Sequence, residues 1–113
     1  MIKGKVVLVP FPFDDLTASK VRPAVCLTEA IGSHGHVVLA FISSRVPQTP
    51  ELTDVILDAS RGDFPATGLR VSSVLRLHRV VTLTASLIVR QLGELSPGWQ
   101  REVDKKLVTL FGL

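Results

Sequence analysis

Apolar residues come in short bursts separated by polar stretches marked with proline or glycine, a spacing that predicts several short strands. Lys5–Pro10 reads as the first, with Val6, Val7, Leu8 and Val9 supplying β-branched or apolar side chains. Phe11–Lys20 reads as a loop, since prolines flank it and Asp14, Asp15, Thr17 and Ser19 fill it. Arg22–Thr28 reads as a second strand, Gly32–Gly35 as a turn, and His36–Ile42 as a nearly continuous apolar strand buried on both faces. Ser43–Pro50 is a polar loop and Asp54–Leu57 a short strand. Ser60–Gly68, with Gly62, Pro65 and Gly68, is irregular. Ser72–His78 is a strand with Val74 toward the core, Thr84–Arg90 a short helical turn, and Gly93–Leu95 a last short strand.

The C-terminal pattern changes period. Trp99, Val103, Leu107 and Leu110 fall at i, i+4, i+8 and i+11, one stripe of a helix. Ser96 is a good N-cap, Pro97 suits the first helical position, and Gly112 ends the helix. Glu102 and Asp104 precede Lys105 and Lys106, an order that suits the helix macrodipole. Many short strands closed by one helix predict a small, mostly antiparallel barrel. At 113 residues the chain makes one domain, 1–113, and 46% apolar residues are enough to build its core.

Composition narrows the function classes. No apolar run approaches the roughly 20 residues that span a bilayer, and Met1–Lys5 leads directly into a strand, which predicts no signal peptide. The single cysteine, Cys26, excludes an intramolecular disulfide framework and fits a reducing cytoplasm; it reads as a small buried hydrophobe. The net charge is only +3, but Arg61–Arg90 holds five arginines and one acid, Asp63. Lysine-free arginine segments suit phosphate recognition, because guanidinium is a planar donor fork; a solvated face is the plain alternative. With 5% aromatics and no tyrosine, base-stacking platforms are scarce, which argues against RNA-binding folds built on aromatic sheets. His34 and His36 sit in a turn without nearby carboxylates and read as exposed turn residues, so no metal site is predicted.

One cation is placed by its neighbour. Pro23 restricts Arg22 to extended backbone, so the arginine is held on a stiff frame where a loop meets a strand. A charge fixed in this way can act on a phosphate. It can equally close its own loop by binding carbonyls or Asp14 and Asp15.

Gly4-Lys-Val-Val-Leu-Val-Pro-Phe-Pro-Phe-Asp-Asp-Leu16 followed by Arg22-Pro23-Ala24 resembles the opening of the MazF/PemK family of toxins. Three later segments agree in order and spacing: Ala40-Phe-Ile-Ser-Ser44, Gly68 to Thr82 with Ser73-Val-Leu-Arg-Leu77, and Gly93-Glu-Leu-Ser-Pro97 with the final helix. The resemblance implies an SH3-like antiparallel barrel, a cytoplasmic homodimer, a cognate antitoxin partner and no cofactor. It also implies a metal-independent endoribonuclease that cuts single-stranded mRNA at short sequences, leaving a 2′,3′-cyclic phosphate and a 5′-hydroxyl.

Carried over position by position, the resemblance implies that Arg22 stabilises phosphate charge and that Ser43 stands for a catalytic threonine, with Ser44 beside it. A strand-end turn accounts for Ser43 equally well. Arg76 matches an arginine some members use in the acid/base step. Strict alternation would put His78 on the same face as Arg76. His78 stands where the family usually has an acidic residue, and imidazole is a competent acid or base. Lys20, Arg45, Arg70, Arg79 and Thr82 complete the expected RNA contacts. The chain departs from the family pattern at Val81, usually arginine, and at Thr84, usually aspartate. Two other functions remain open on the same fold: a protein-binding toxin resembling the gyrase poison CcdB, and a degenerate homologue that binds RNA or antitoxin without cutting.

Overall fold

The structure, a computed structural model, describes residues 1–10 and 20–113; the expected loop Phe11–Lys20 lies outside it except for Lys20. Among the described residues six strands form one antiparallel sheet: β1 (Lys5–Pro10), β2 (Val21–Cys26), β3 (His36–Ser43), β4 (Asp54–Leu57), β5 (Ser73–Thr84) and β6 (Arg90–Glu94). Their order across the sheet is β4-β5-β3-β2-β1-β6. Short 3₁₀ turns occupy Pro65–Thr67 and Ala85–Leu87, and helix α1 spans Pro97–Phe111. No helix among the described residues is long and apolar enough to cross a membrane.

The sheet buries both faces, as the apolar run in β3 requires. Val6, Val25, Ala40 and Ile42 join one cluster with Leu75, Leu77, Trp99 and Val103. The alternate residues Val7, Val9, Ala24, Val37, Leu39 and Phe41 form a second cluster. Helix α1 covers the first face through the expected stripe, with Leu107 and Leu110 partly buried against that cluster. The Ser96 hydroxyl accepts a hydrogen bond from the Trp99 amide at 3.2 Å, which caps the helix. At the other end Gly112 is left-handed (φ 68°), as a C-terminal glycine should be.

β5 departs from the expected Ser72–His78 by running six residues further, to Thr84. It also changes faces along its length. Leu75 pairs with Ile42, but Val80 pairs with Ala40, so Arg76 to Arg79 stand opposite the single residue Phe41. This bulge shifts the register by an odd number of residues, which reverses the alternation. Leu75 and Leu77 accordingly pack in the first cluster, and Val81 and Leu83 against the second.

Besides Phe64, buried in the first cluster, polar and backbone contacts hold the Ser60–Gly68 segment in place. Asp63 accepts from the Ser96 hydroxyl at 2.7 Å and from Arg61 Nη2 at 2.9 Å, and the Arg61 guanidinium lies 4.3 Å from the Trp99 ring centroid. These donors, the Ser96 hydroxyl first, hold the Asp63 carboxyl below the usual carboxylate range. The backbone contact is close: a Cβ on Gly93 would stand 2.2 Å from the Ala66 carbonyl oxygen, so only glycine lets this turn dock on β6.

Cys26 is buried at the end of β2, and burial pushes its thiol up to about 11. The thiol stays protonated at neutral pH and has no nucleophilic role. An unfolded cysteine ionises near pH 8.5. The folded chain therefore holds this proton more tightly, and stability is fully present below about pH 8.5. Between about 8.5 and 11 it is expected to fall. Urea titrations at pH 7.5 and 10 should show a smaller fall in Cys26→Ala than in the parent; equal falls would remove Cys26 as the cause.

Candidate active site

The cavity forms where two strand ladders fail at the end of β3. The β2–β3 pairing runs from Cys26↔Leu39 to Ala24↔Phe41 and stops there, next to Pro23, which has no N–H. The same register carried two residues further would set Arg22 opposite Ser43. On the other side of β3, the β5 bulge stands against Phe41. Between these breaks lies a cavity of about 610 Å³.

Five arginines line it. Arg22 comes from β2, Arg45 from the turn after β3, Arg70 from the segment before β5, and Arg76 and Arg79 from the bulge. Ser43 and Ser44 supply hydroxyls, while Phe41, Leu69 and Val71 add apolar surface. Ser43 Oγ accepts a hydrogen bond from the Arg45 amide at 3.1 Å, the strand-end turn expected of serine. That acceptor contact leaves its O–H available as a donor to a ligand.

Arg76 is anchored from outside the cavity. Its Nε and Nη2 donate to Asp54 Oδ1 and Oδ2, each at 3.2 Å, and the Asp54 side chain is 0% exposed. Asp54 and Arg76 are directly opposed in the β4–β5 register. In the sequence Asp54 stands out only as the start of a strand. Its partner lies 22 positions away, and nothing local in the chain marks the pairing.

The structure thus brings Arg22, Ser43, Ser44, Arg45, Arg70, Arg76 and Arg79 around one cavity. It does not bring Lys20, His78 or Thr82 to that lining. Arg79, in the bulge, reaches the cavity, whereas His78 beside it does not. His78 is exposed. The arginine-rich segment also divides, since Arg61 stacks on Trp99 and Arg90 sits on β6. Among the described residues no three His, Cys, Asp or Glu side chains gather as metal ligands.

Fold and site together place the chain among small SH3-like β-barrel proteins with a cation-lined cleft. More particularly, residues 2–111 match the family of PemK-like, MazF-like toxins of type II toxin–antitoxin systems, and the chain belongs to that family. It is similar to the crystal structure of MazF from Deinococcus radiodurans (TM-score 0.72, 26% identity, covering 100% of this chain and 97% of that one). It is also similar to MazF in a MazE–MazF crystal structure from the same organism (TM-score 0.73, 25% identity, 100% and 97% covered). The Mycobacterium tuberculosis toxin MazF-mt6 shares the fold at 22% identity (TM-score 0.73, 96% and 97% covered). No curated protein matches the chain by sequence.

Proposed function

We propose that this chain is a toxin that cleaves single-stranded mRNA without a metal ion, by attack of a ribose 2′-hydroxyl on the adjacent phosphate. A 2′-O–P bond forms as the P–O5′ bond breaks. One proton leaves the 2′-oxygen and one reaches the 5′-oxygen, giving a 2′,3′-cyclic phosphate and a 5′-hydroxyl. The observation that carries this reading is the convergence of five arginines on the cavity at the end of β3, in a chain of this toxin family.

The chemistry these residues offer is electrostatic. Guanidinium stays protonated at any working pH, so it supplies charge and donors rather than a base. The phosphorane carries one more negative charge on its equatorial oxygens than the diester. Preorganised donors aimed at that charge are a large part of catalysis in many sites. Arg22, on its proline-stiffened frame, and the Ser43 hydroxyl are assigned to the phosphorane oxygens. Arg76 and Arg79 hold the same phosphate from the bulge, and Ser44, Arg45 and Arg70 track the flanking backbone. A polyanion is also drawn to such a cluster before contact.

A cognate antitoxin completes the reading, supported by the MazE–MazF complexes solved for related proteins; a homodimer belongs to it as part of what the family resemblance implies. The decisive experiment incubates purified protein with a long RNA in EDTA and maps the cut ends. Discrete cuts bearing cyclic phosphates are expected. Intact RNA, or cuts appearing only when magnesium is added, would overturn the proposal. In the same assay His78→Ala is expected to cut at the parent rate with an unchanged pH profile, because His78 does not line the cavity. A large fall in rate would return His78 to the site.

A further inference from the structure

We infer that Asp54 is a positioning residue that aims Arg76 into the cavity and withholds that arginine's charge from the cavity's net field. The inference rests on the cavity being a phosphate site.

Asp54 is unusually well held. Oδ2 accepts from the Glu51 amide at 2.9 Å as well as from Arg76. Its main-chain carbonyl accepts from Lys106 Nζ at 2.6 Å, which ties β4 to helix α1. Register, turn and helix thus all fix the same carboxylate. A guanidinium has five N–H donors. Two of Arg76's are spent on Asp54, leaving three; the side chain is 26% exposed and lines the cavity.

Energetics give this arrangement its meaning. A fully buried carboxylate is costly to desolvate, and an apolar pair would join β4 to β5 as well or better. What the acid supplies that an apolar residue cannot is a fixed two-point dock for the fork. An arginine on a long side chain otherwise samples many rotamers and must lose that freedom at each turnover. Arg76 is thereby an oriented donor set, while the pair carries no net charge.

This predicts a separation of kinetic constants. Asp54→Asn keeps the shape and one acceptor oxygen, but frees the fork and adds one positive charge at the cavity. Ground-state attraction for RNA rises and alignment in the transition state falls. On a short RNA substrate, kcat is expected to drop by about 10- to 100-fold, as misplacement of a positioned group does, with KM no higher than the parent's. A merely structural loss would lower the melting temperature and the active fraction without this split.

In an Arg76→Gln background, where the amide still donates to Asp54, adding Asp54→Asn is expected to lower kcat no further. Equal falls in both backgrounds, or a folded Asp54→Asn protein with parental kcat, would overturn the inference. If Asp54→Asn is unfolded by circular dichroism, Asp54→Glu takes its place. It keeps the charge pair, displaces the dock by one methylene and should show the same fall in kcat; parental kcat there is equally fatal. If Arg76→Gln cuts normally while Arg22→Ala does not, this inference fails and the cavity assignment survives. If neither matters, the cavity assignment itself fails.

Discussion

Arg22→Ala is expected to slow RNA cleavage by about 100- to 1,000-fold, the usual loss when one preorganised donor to a developing oxyanion is removed. The fold should survive the change. Arg22 is exposed, and β2 is held by its pairing with β1 from Val21 to Val25 and by the buried Ala24, Val25 and Cys26. The melting temperature is therefore expected to stay within a few degrees of the parent, since exposed substitutions typically change stability by about 0.5 kcal/mol. Arg22→Lys should recover little, because an ammonium keeps the charge but loses the planar fork. Rates from a fluorogenic RNA, read beside circular dichroism melts, check both halves. A folded Arg22→Ala protein that cuts at the parental rate would remove Arg22 from the site.

The largest loss of stability is expected from Trp99→Ala. Trp99 is fully buried and is the largest side chain in the cluster that joins α1 to the sheet. Truncating a buried tryptophan costs about 3–5 kcal/mol. In a domain of this size, that lowers the melting temperature by roughly 12–20 °C. The ring also carries Arg61, so its loss loosens the Arg61–Asp63–Ser96 link that fastens the Ser60–Gly68 segment to the helix. Arg70 follows that segment, so weakened RNA binding should accompany the lower melting temperature. Trp99→Phe should lose far less. It keeps most of the apolar contact, and the indole N–H it deletes is buried with no partner among the described residues. A Trp99→Ala protein melting within 5 °C of the parent, or about 1 kcal/mol by the same scaling, would show that α1 adds little to the core.

The elements were legible wherever one short-range rule applied. Ser96, Pro97 and Gly112 mark both ends of α1 through capping chemistry confined to a few residues, and the Trp99–Leu110 stripe follows from helical period alone. β1 and β4 match their expected bounds because short β-branched runs between turn residues have few alternatives. β5 outruns its expected end at His78 because the apolar alternation reverses just beyond it. A bulge and a strand end look the same in a pattern of period two. Only the pairing with His36–Ala40 shows that the strand continues.

The site divides along the same line. Arg22 could be singled out before any fold was known, because Pro23 acts on the residue before it and the motif around both is continuous in sequence. By itself, then, the chain determined where most of its strands begin, its capped helix, its family and the arginine at the loop's end. The tertiary structure decided which other cations join that arginine. It put Arg79 rather than His78 at the cavity, laid the exposed Arg61 over the Trp99 ring, and placed a buried aspartate behind Arg76. Those choices depend on strand register and one bulge, set by pairing between residues distant in the chain. No local preference of the residues involved encodes that pairing.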